Sequence, residues 1–229
     1  MNQMTNSHIL VNEFDYLEPA SLEEAISLLG EYGDRAQVLA GGTNLLVWMK
    51  MEQVAPEHVI NIGKLPGLAG ITSLAPSVHG GASKDGRLQI GALTKIRAVR
   101  NAPQVQADYT ALADACAAFG SAQIQMMGTI GGNLCNGSPA SDTVPALVAF
   151  DAQLALVGPG GERTVSVDEF LVGPGEVDLE DGELLVSVQI PRPQPGTGSA
   201  FIKISRVEAD LAKASAAAVI VRDGDRVVD

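Results

Sequence analysis

Two short stretches of this chain put backbone where chemistry could happen: Val38-Leu39-Ala40-Gly41-Gly42-Thr43-Asn44-Leu45 and Thr129-Ile130-Gly131-Gly132-Asn133. Paired glycines give up chain entropy and bury little, so they mark a tight turn or a close approach of backbone to something else. Where a helix starts just after, the junction offers unpaired N–H groups and a partial positive charge to an anion. Thr43, Asn44, Thr129 and Asn133 add hydrogen-bonding side chains. The alternative is that each pair is a turn or a packing point, and one such loop does not decide between the two. Two of the same type favour a phosphorylated ligand. It would be held by short-range donors, because the net charge of −12 gives an anion no long-range attraction.

Other chemistries have less support. Two cysteines, Cys116 and Cys135, and three histidines, His8, His58 and His79, show no zinc-ligand spacing, and two thiols are too few for an iron–sulfur cluster. Cys135 reads as a small packing residue rather than a redox thiol. No strand leads into G-x-G-x-x-G and no G-x-x-x-x-G-K-[ST] occurs, which excludes the common dinucleotide and P-loop signatures. The acidic balance argues against nucleic acid and anionic membranes as partners. A local basic cluster, Lys84, Arg87, Lys95, Arg97 and Arg100, is either a solvated face or a docking patch for an acidic partner. No signal peptide opens the chain and no run reaches membrane-span length, so the expectation is a soluble, cytoplasmic protein.

The elements that position the two stretches follow from patterning. Ser21 with Glu24 is a capping box, and Leu22, Ala25, Ile26 and Leu29 make the stripe of a helix over 21–33. Strands are expected at 36–40, 58–62 and 87–93, with one or two helical turns after Asn44. Thr94 is expected to cap a short helix through Arg100, and 109–120 to form a helix that ends at Gly120. Ser141 or Asp142 is expected to cap a helix over 143–150. Strands follow at 152–158, 162–167 and 183–190, then a break rich in Pro and Gly at 191–199, a strand, and a hairpin with an Asp-Gly turn.

The pair AGGTNLL and TIGGNLCNGSPASD resembles the FAD-binding (medium) subunit or domain of the xanthine dehydrogenase family, the molybdenum hydroxylases that include carbon monoxide dehydrogenase. The similarity runs on through PALVAFDAQLAL, ELLVSVQIPRP and SAFIKISRVEADLAKAS. It implies an α+β fold of the vanillyl-alcohol-oxidase-like superfamily, with two α+β subdomains at about 1–60 and 61–190 and FAD extended between them. A linker at 191–198 and the start of a smaller C-terminal α+β domain at 199–229, cut short, would follow. The resemblance also implies that Val38–Leu45 and Thr129–Asn133 bind the FAD pyrophosphate from both sides. Phe119 would stand by the adenine, Asp142 would meet a hydroxyl, and Leu185 and Lys203 would line or approach the flavin. Gln123-Ile124-Gln125-Met126 departs from a common Gln-Ile-Arg-Asn, Val207 stands where a second Arg is common, and Asn44 replaces a frequent Asp or Ser.

The implied function is electron transfer. A molybdenum large subunit would oxidise the substrate, and two-iron two-sulfur clusters in a small subunit would pass the electrons on. FAD in this chain would hand them to an external acceptor. No residue here then acts as a general base. Two rival readings are a stand-alone flavin oxidase, for which the chain lacks room for a larger second domain, and a flavin-free interaction module with the same fold. A four-iron cluster, as in the 4-hydroxybenzoyl-CoA reductase branch, conflicts with the two cysteines.

Overall fold

The computed structural model describes residues 10–75 and 86–228; His8, His79 and Lys84 lie outside the described residues. β1 (Asp15–Leu17) leads into α1 (Leu22–Tyr32). Ser21 Oγ accepts from Glu24 N at 3.2 Å, and Glu24 Oε2 accepts from Ala20 N at 2.7 Å, so the capping box forms from local residues. Gly33, at φ 52°, ends the helix. β2 (Ala36–Leu39), α2 (Leu45–Lys50) and β3 (His58–Asn61) complete a parallel three-stranded sheet in the order β1-β3-β2. Ala25 of α1 packs with Ala36, Ile60, Ile62 and Leu65 into one small core.

β4 (Ile71–Leu74) and β5 (Arg87–Gly91) open a second sheet. A run of short helices follows: α3 (Ile96–Asn101), α4 (Pro103–Asp108), α5 (Thr110–Ala117), α6 (Ala122–Met127), α7 (Ile130–Cys135) and α8 (Val144–Ala149). The chain returns through β6 (Gln153–Gly158), β7 (Gly161–Ser166), α9 (Val167–Phe170), the small β8 (Leu171–Gly173) and β9 (Glu176–Val177), and then β10 (Leu184–Pro191). The second sheet is antiparallel in the order β4-β5-β10-β6-β7, and β10 is irregular between Leu185 and Ser187. Its inward residues, among them Ile90, Leu154, Leu156, Val188 and Ile190, meet Ile96, Leu112, Ile130 and Leu147 of the helices in the main core. β11 (Thr197–Ile204), β12 (Ala214–Asp223) and β13 (Arg226–Val227) form a third, antiparallel sheet.

Four local expectations change. Thr94 does not cap α3; its hydroxyl donates to Gly70 O and accepts from Gly70 N, tying two loops together. The helix over 109–120 is shorter, and α6 occupies residues expected to be loop. Neither Ser141 nor Asp142 caps α8, because both side chains bond elsewhere. The last hairpin turns on Gly224-Asp225, one residue later than expected, with Asp223 opposite Arg226.

α5 is held at both ends by β11. Ser199 Oγ accepts from Ala111 N at 3.0 Å, where the helix has no side-chain cap of its own. Lys203 Nζ donates to Ala118 O at 2.9 Å beyond the other end, where a cation suits the exposed carbonyls.

Candidate functional site

A cavity of about 710 Å³ opens between the first sheet and the helices of the second unit. That size falls in the range of roughly 300–1,000 Å³ expected of small-molecule sites. Of the residues singled out by sequence, Val38, Ala40, Gly41, Gly42, Thr43, Asn44, Leu45, Phe119, Thr129, Gly131, Gly132, Asn133, Asp142 and Leu185 all stand on its wall. Leu39, Ile130 and Lys203 do not. Leu39 packs with Leu45, Met49 and Val59, Ile130 is wholly buried in the main core, and Lys203 lies behind Asp142.

The two glycine stretches are brought face to face, but they are not alike. At the first, β2 ends and the chain turns through Gly42 at φ 70° into α2. A Cβ on Gly42 would also come within 3.1 Å of Leu39 Cδ1 and Leu46 Cδ1. Among the described residues, no backbone N–H from Gly41 to Leu45 has a hydrogen-bond partner in the protein. Successive free N–H groups in a turn make a concave anion site.

The second stretch is a helix rather than a loop, and its donors are already used. Thr129 is the N-cap of α7, accepting from Gly132 N at 3.1 Å. Ile130 N donates to Thr94 O, Gly131 N to Ala92 O and Asn133 N to Thr129 O. Gly131 has a packing cause as well, since a Cβ there would sit 2.7 Å from Ala92 Cβ. A Cβ on Gly41 would likewise overlap the Met127 carbonyl and lie 3.0 Å from Gly128 Cα. The first glycine of each pair therefore serves close packing. The second, Gly42 or Gly132, serves the turn or the cap beside the cavity.

Polar side chains line the far wall. Asn133 Oδ1 accepts from Ser141 Oγ at 2.7 Å and from Thr143 Oγ1 at 2.5 Å, which fixes its amide. Asp142 and Lys203 form an ion pair, with side chains 9% and 6% exposed and Nζ 3.0 Å from Oδ1. Nζ also donates to Oδ2 at 3.1 Å, so the ammonium faces both carboxylate oxygens. Burial raises the Asp142 pKa above the ordinary aspartate value, and the Lys203 ammonium opposes that rise. Phe119 lines the cavity and packs on the main core, so its two readings coexist. Cys135 also lines the cavity, and burial pushes its thiol pKa up to about 12, as it does for Cys116 in the core.

Several wall residues carry no signal in the sequence. The segment Leu179–Leu184 forms one side, Trp48 of α2 another, and Ala209–Leu211, in the loop between β11 and β12, reach the rim. Only contacts across the fold place them there.

The basic cluster is largely spent inside the protein. Arg87 bonds Gln189, Arg100 donates to Gln125 Oε1, and Lys95 Nζ donates to Met127 O. Arg97 is exposed. Among the described residues no group of three or more His, Cys, Asp or Glu is placed to hold a metal ion, and no helix is long and apolar enough to cross a membrane.

Comparison with known proteins gives consistent matches. Residues 12–193 match the family described as the FAD binding domain in molybdopterin dehydrogenase. The carbon monoxide dehydrogenase medium chain of Hydrogenophaga pseudoflava is 37% identical over 214 residues, covering 93% of this chain and 71% of its own length. A putative xanthine dehydrogenase FAD-binding subunit of Escherichia coli K12 is 34% identical over 195 residues, covering 85% of this chain and 63% of that protein. Among solved structures, a carbon monoxide dehydrogenase of Hydrogenophaga pseudoflava superposes with a TM-score of 0.88 at 36% identity, over 96% of this chain and 74% of that one. Quinoline 2-oxidoreductase of Pseudomonas putida 86 gives a TM-score of 0.83 at 28% identity, over 94% and 71%.

Proposed function

The chain belongs to the family of FAD-binding domains of molybdopterin dehydrogenases, and from that premise we propose that its cavity holds FAD for electron transfer within a multi-subunit molybdenum hydroxylase. The observation that carries the reading is the row of unpaired N–H groups from Gly41 to Leu45 on the cavity wall. Such a row suits a pyrophosphate, and in an acidic chain it attracts one through short-range donors alone. The residues present fit the cofactor on a second count: Thr43, Asn44, Asn133 and Asp142 put polar groups on a wall that is otherwise largely apolar, as suits a ligand with hydroxyls and flat rings.

Each part of the wall has a task in binding. Gly42 and Thr43 shape the anion site. Gly132, exposed at the second stretch, lets a ligand pass close to α7 without a side chain in the way. Asn133, held by two hydroxyls, presents its amide at a fixed angle. Phe119 and Leu185 give apolar surface for flat rings. Bound FAD supplies the two-electron redox chemistry. The protein contributes binding, orientation and exclusion of water, and no side chain in the cavity is needed as a proton donor or base. Electrons come from a molybdenum large subunit through the two-iron two-sulfur clusters of a small subunit and leave to an external acceptor.

Acid-released flavin from the purified assembly, separated by chromatography, tests the reading. FAD at one per chain is expected. FMN, which lacks the pyrophosphate, would remove the role given to the Gly41–Leu45 turn.

A further inference from the structure

A dense polar cluster is built on Arg163, at the outer edge of the second sheet. β7 pairs only with β6, and its Arg163 reaches back across that sheet edge. Nε donates to Glu183 Oε1 and Nη2 to Glu183 Oε2, both at 2.7 Å. Nη1 donates to Asp178 Oδ2 at 2.7 Å, and Nη2 also donates to Asp178 O at 2.8 Å. Glu183 is itself buried, and its Oε2 takes a further hydrogen bond from Glu180 N at 2.8 Å. Glu183 N closes the turn by donating to Glu180 O at 3.0 Å.

The sequence is shaped to admit this arrangement. A Cβ on Gly158 would stand 2.6 Å from Glu183 Cγ, so the glutamate stem lies flat on bare backbone. Gly182, at φ 80°, lets the chain turn over the Pro159 ring. The segment so fixed, Asp178–Glu183, contributes Leu179 to Glu183 to the cavity wall and runs straight into Leu184 and Leu185 of β10.

We propose that Arg163 is a positioning residue for the cavity: its guanidinium, shared between Asp178 and Glu183, fixes the wall segment against which the flavin part of the ligand rests. This rests on the FAD reading for the identity of the ligand, but the latch itself concerns only this chain. The planar fork is essential. An ammonium cannot make two parallel bonds to one carboxylate and a third to another. A role confined to stability would instead act on the β6–β7 hairpin and leave ligand binding alone.

The test uses the full chain as R163M and R163K, read by amide hydrogen exchange without ligand and by FAD titration with visible spectra. In R163M the amides of Glu180 and Glu183 should exchange roughly tenfold faster while those of β5 and β6 keep their rates. FAD should bind about tenfold more weakly and with a shifted flavin spectrum. R163K should not restore either. Unchanged exchange at Glu180 and Glu183, a uniform rise across the sheet, or normal FAD affinity and spectrum despite a loosened segment would each overturn the proposal. If R163M fails to fold, D178N, which spares the Arg163–Glu183 pair, should still speed exchange in the segment by about threefold, and no change there overturns it. If the wild-type chain binds no FAD while exchange responds as described, the latch stands and the ligand reading falls.

Discussion

Gly42 combines a left-handed backbone with contacts on both sides, and this makes it the sharpest single position in the cavity. Gly42→Val should cost at least about 1–2 kcal/mol from the left-handed conformation alone. It should also empty the cavity of flavin, read as the flavin-to-protein ratio of the folded variant. Gly132→Val should act differently, by pressing on Thr129 Oγ1, 2.9 Å from the new Cβ, and weakening the cap of α7. At the ion pair, Asp142→Asn leaves buried Lys203 without its partner and should destabilise by about 3–5 kcal/mol. The double variant D142N/K203M should lose less than the sum of the two single losses, and strict additivity in denaturant melts would show that the pair is not coupled. Cys116, buried in the core with its thiol pKa pushed up to about 12, should resist alkylation in the folded chain at pH 8. At this scale the glycines were legible in the sequence, because φ and close approach restrict a position to one residue type. The partner of Asp142 was not, because Lys203 lies 61 residues away and no local pattern joins them.

Short elements need outside support, and α5 shows where it comes from. Its N-terminal amide is capped by Ser199 from β11, so Ser199→Ala should cost about 0.5–2 kcal/mol, much as loss of an ordinary helix cap does. A melting temperature equal to wild type would mean that water replaces the hydroxyl at no cost. The Asp178–Glu183 segment carries a pH dependence of its own. Arg163 holds the Glu183 carboxyl below the ordinary glutamate value, so the folded pKa is the lower one. The pair's stabilisation is therefore full above the unfolded value of ~4.3 and is lost as pH falls through the folded one. Exchange of the segment should rise in that acid window ahead of the core, and R163M should abolish the separate step. The sequence announced α1 through its capping box and most strands through alternation. It did not announce α6 or the helical form of residues 130–135. Runs this short have too little periodicity to read, and their hydrogen bonds go to Thr94, Ala92 and other residues distant in sequence.

Taken whole, the chain opens a cavity between a parallel three-stranded sheet and the helices beside a larger antiparallel one, and residues from both sides line it. Nothing on the wall is assigned as a substrate base or metal ligand. The isolated chain loaded with FAD should therefore not turn over small oxidisable substrates, whereas the reconstituted three-subunit assembly should reduce its flavin; steady oxidation by the chain alone would point to the oxidase reading instead. Fourteen of the positions that the resemblance named stand on the wall of one cavity. The resemblance said nothing of the third side, Leu179–Leu184, whose position depends on Arg163. One more property follows from α2. Trp48 on the cavity wall is the only tryptophan in the chain. Indole emission from the unlabelled protein thus comes from a single known point on the cavity wall, and an isoalloxazine bound there would absorb at the wavelengths that indole emits. Arrival and departure of the cofactor can be followed by energy transfer, in real time and without a dye.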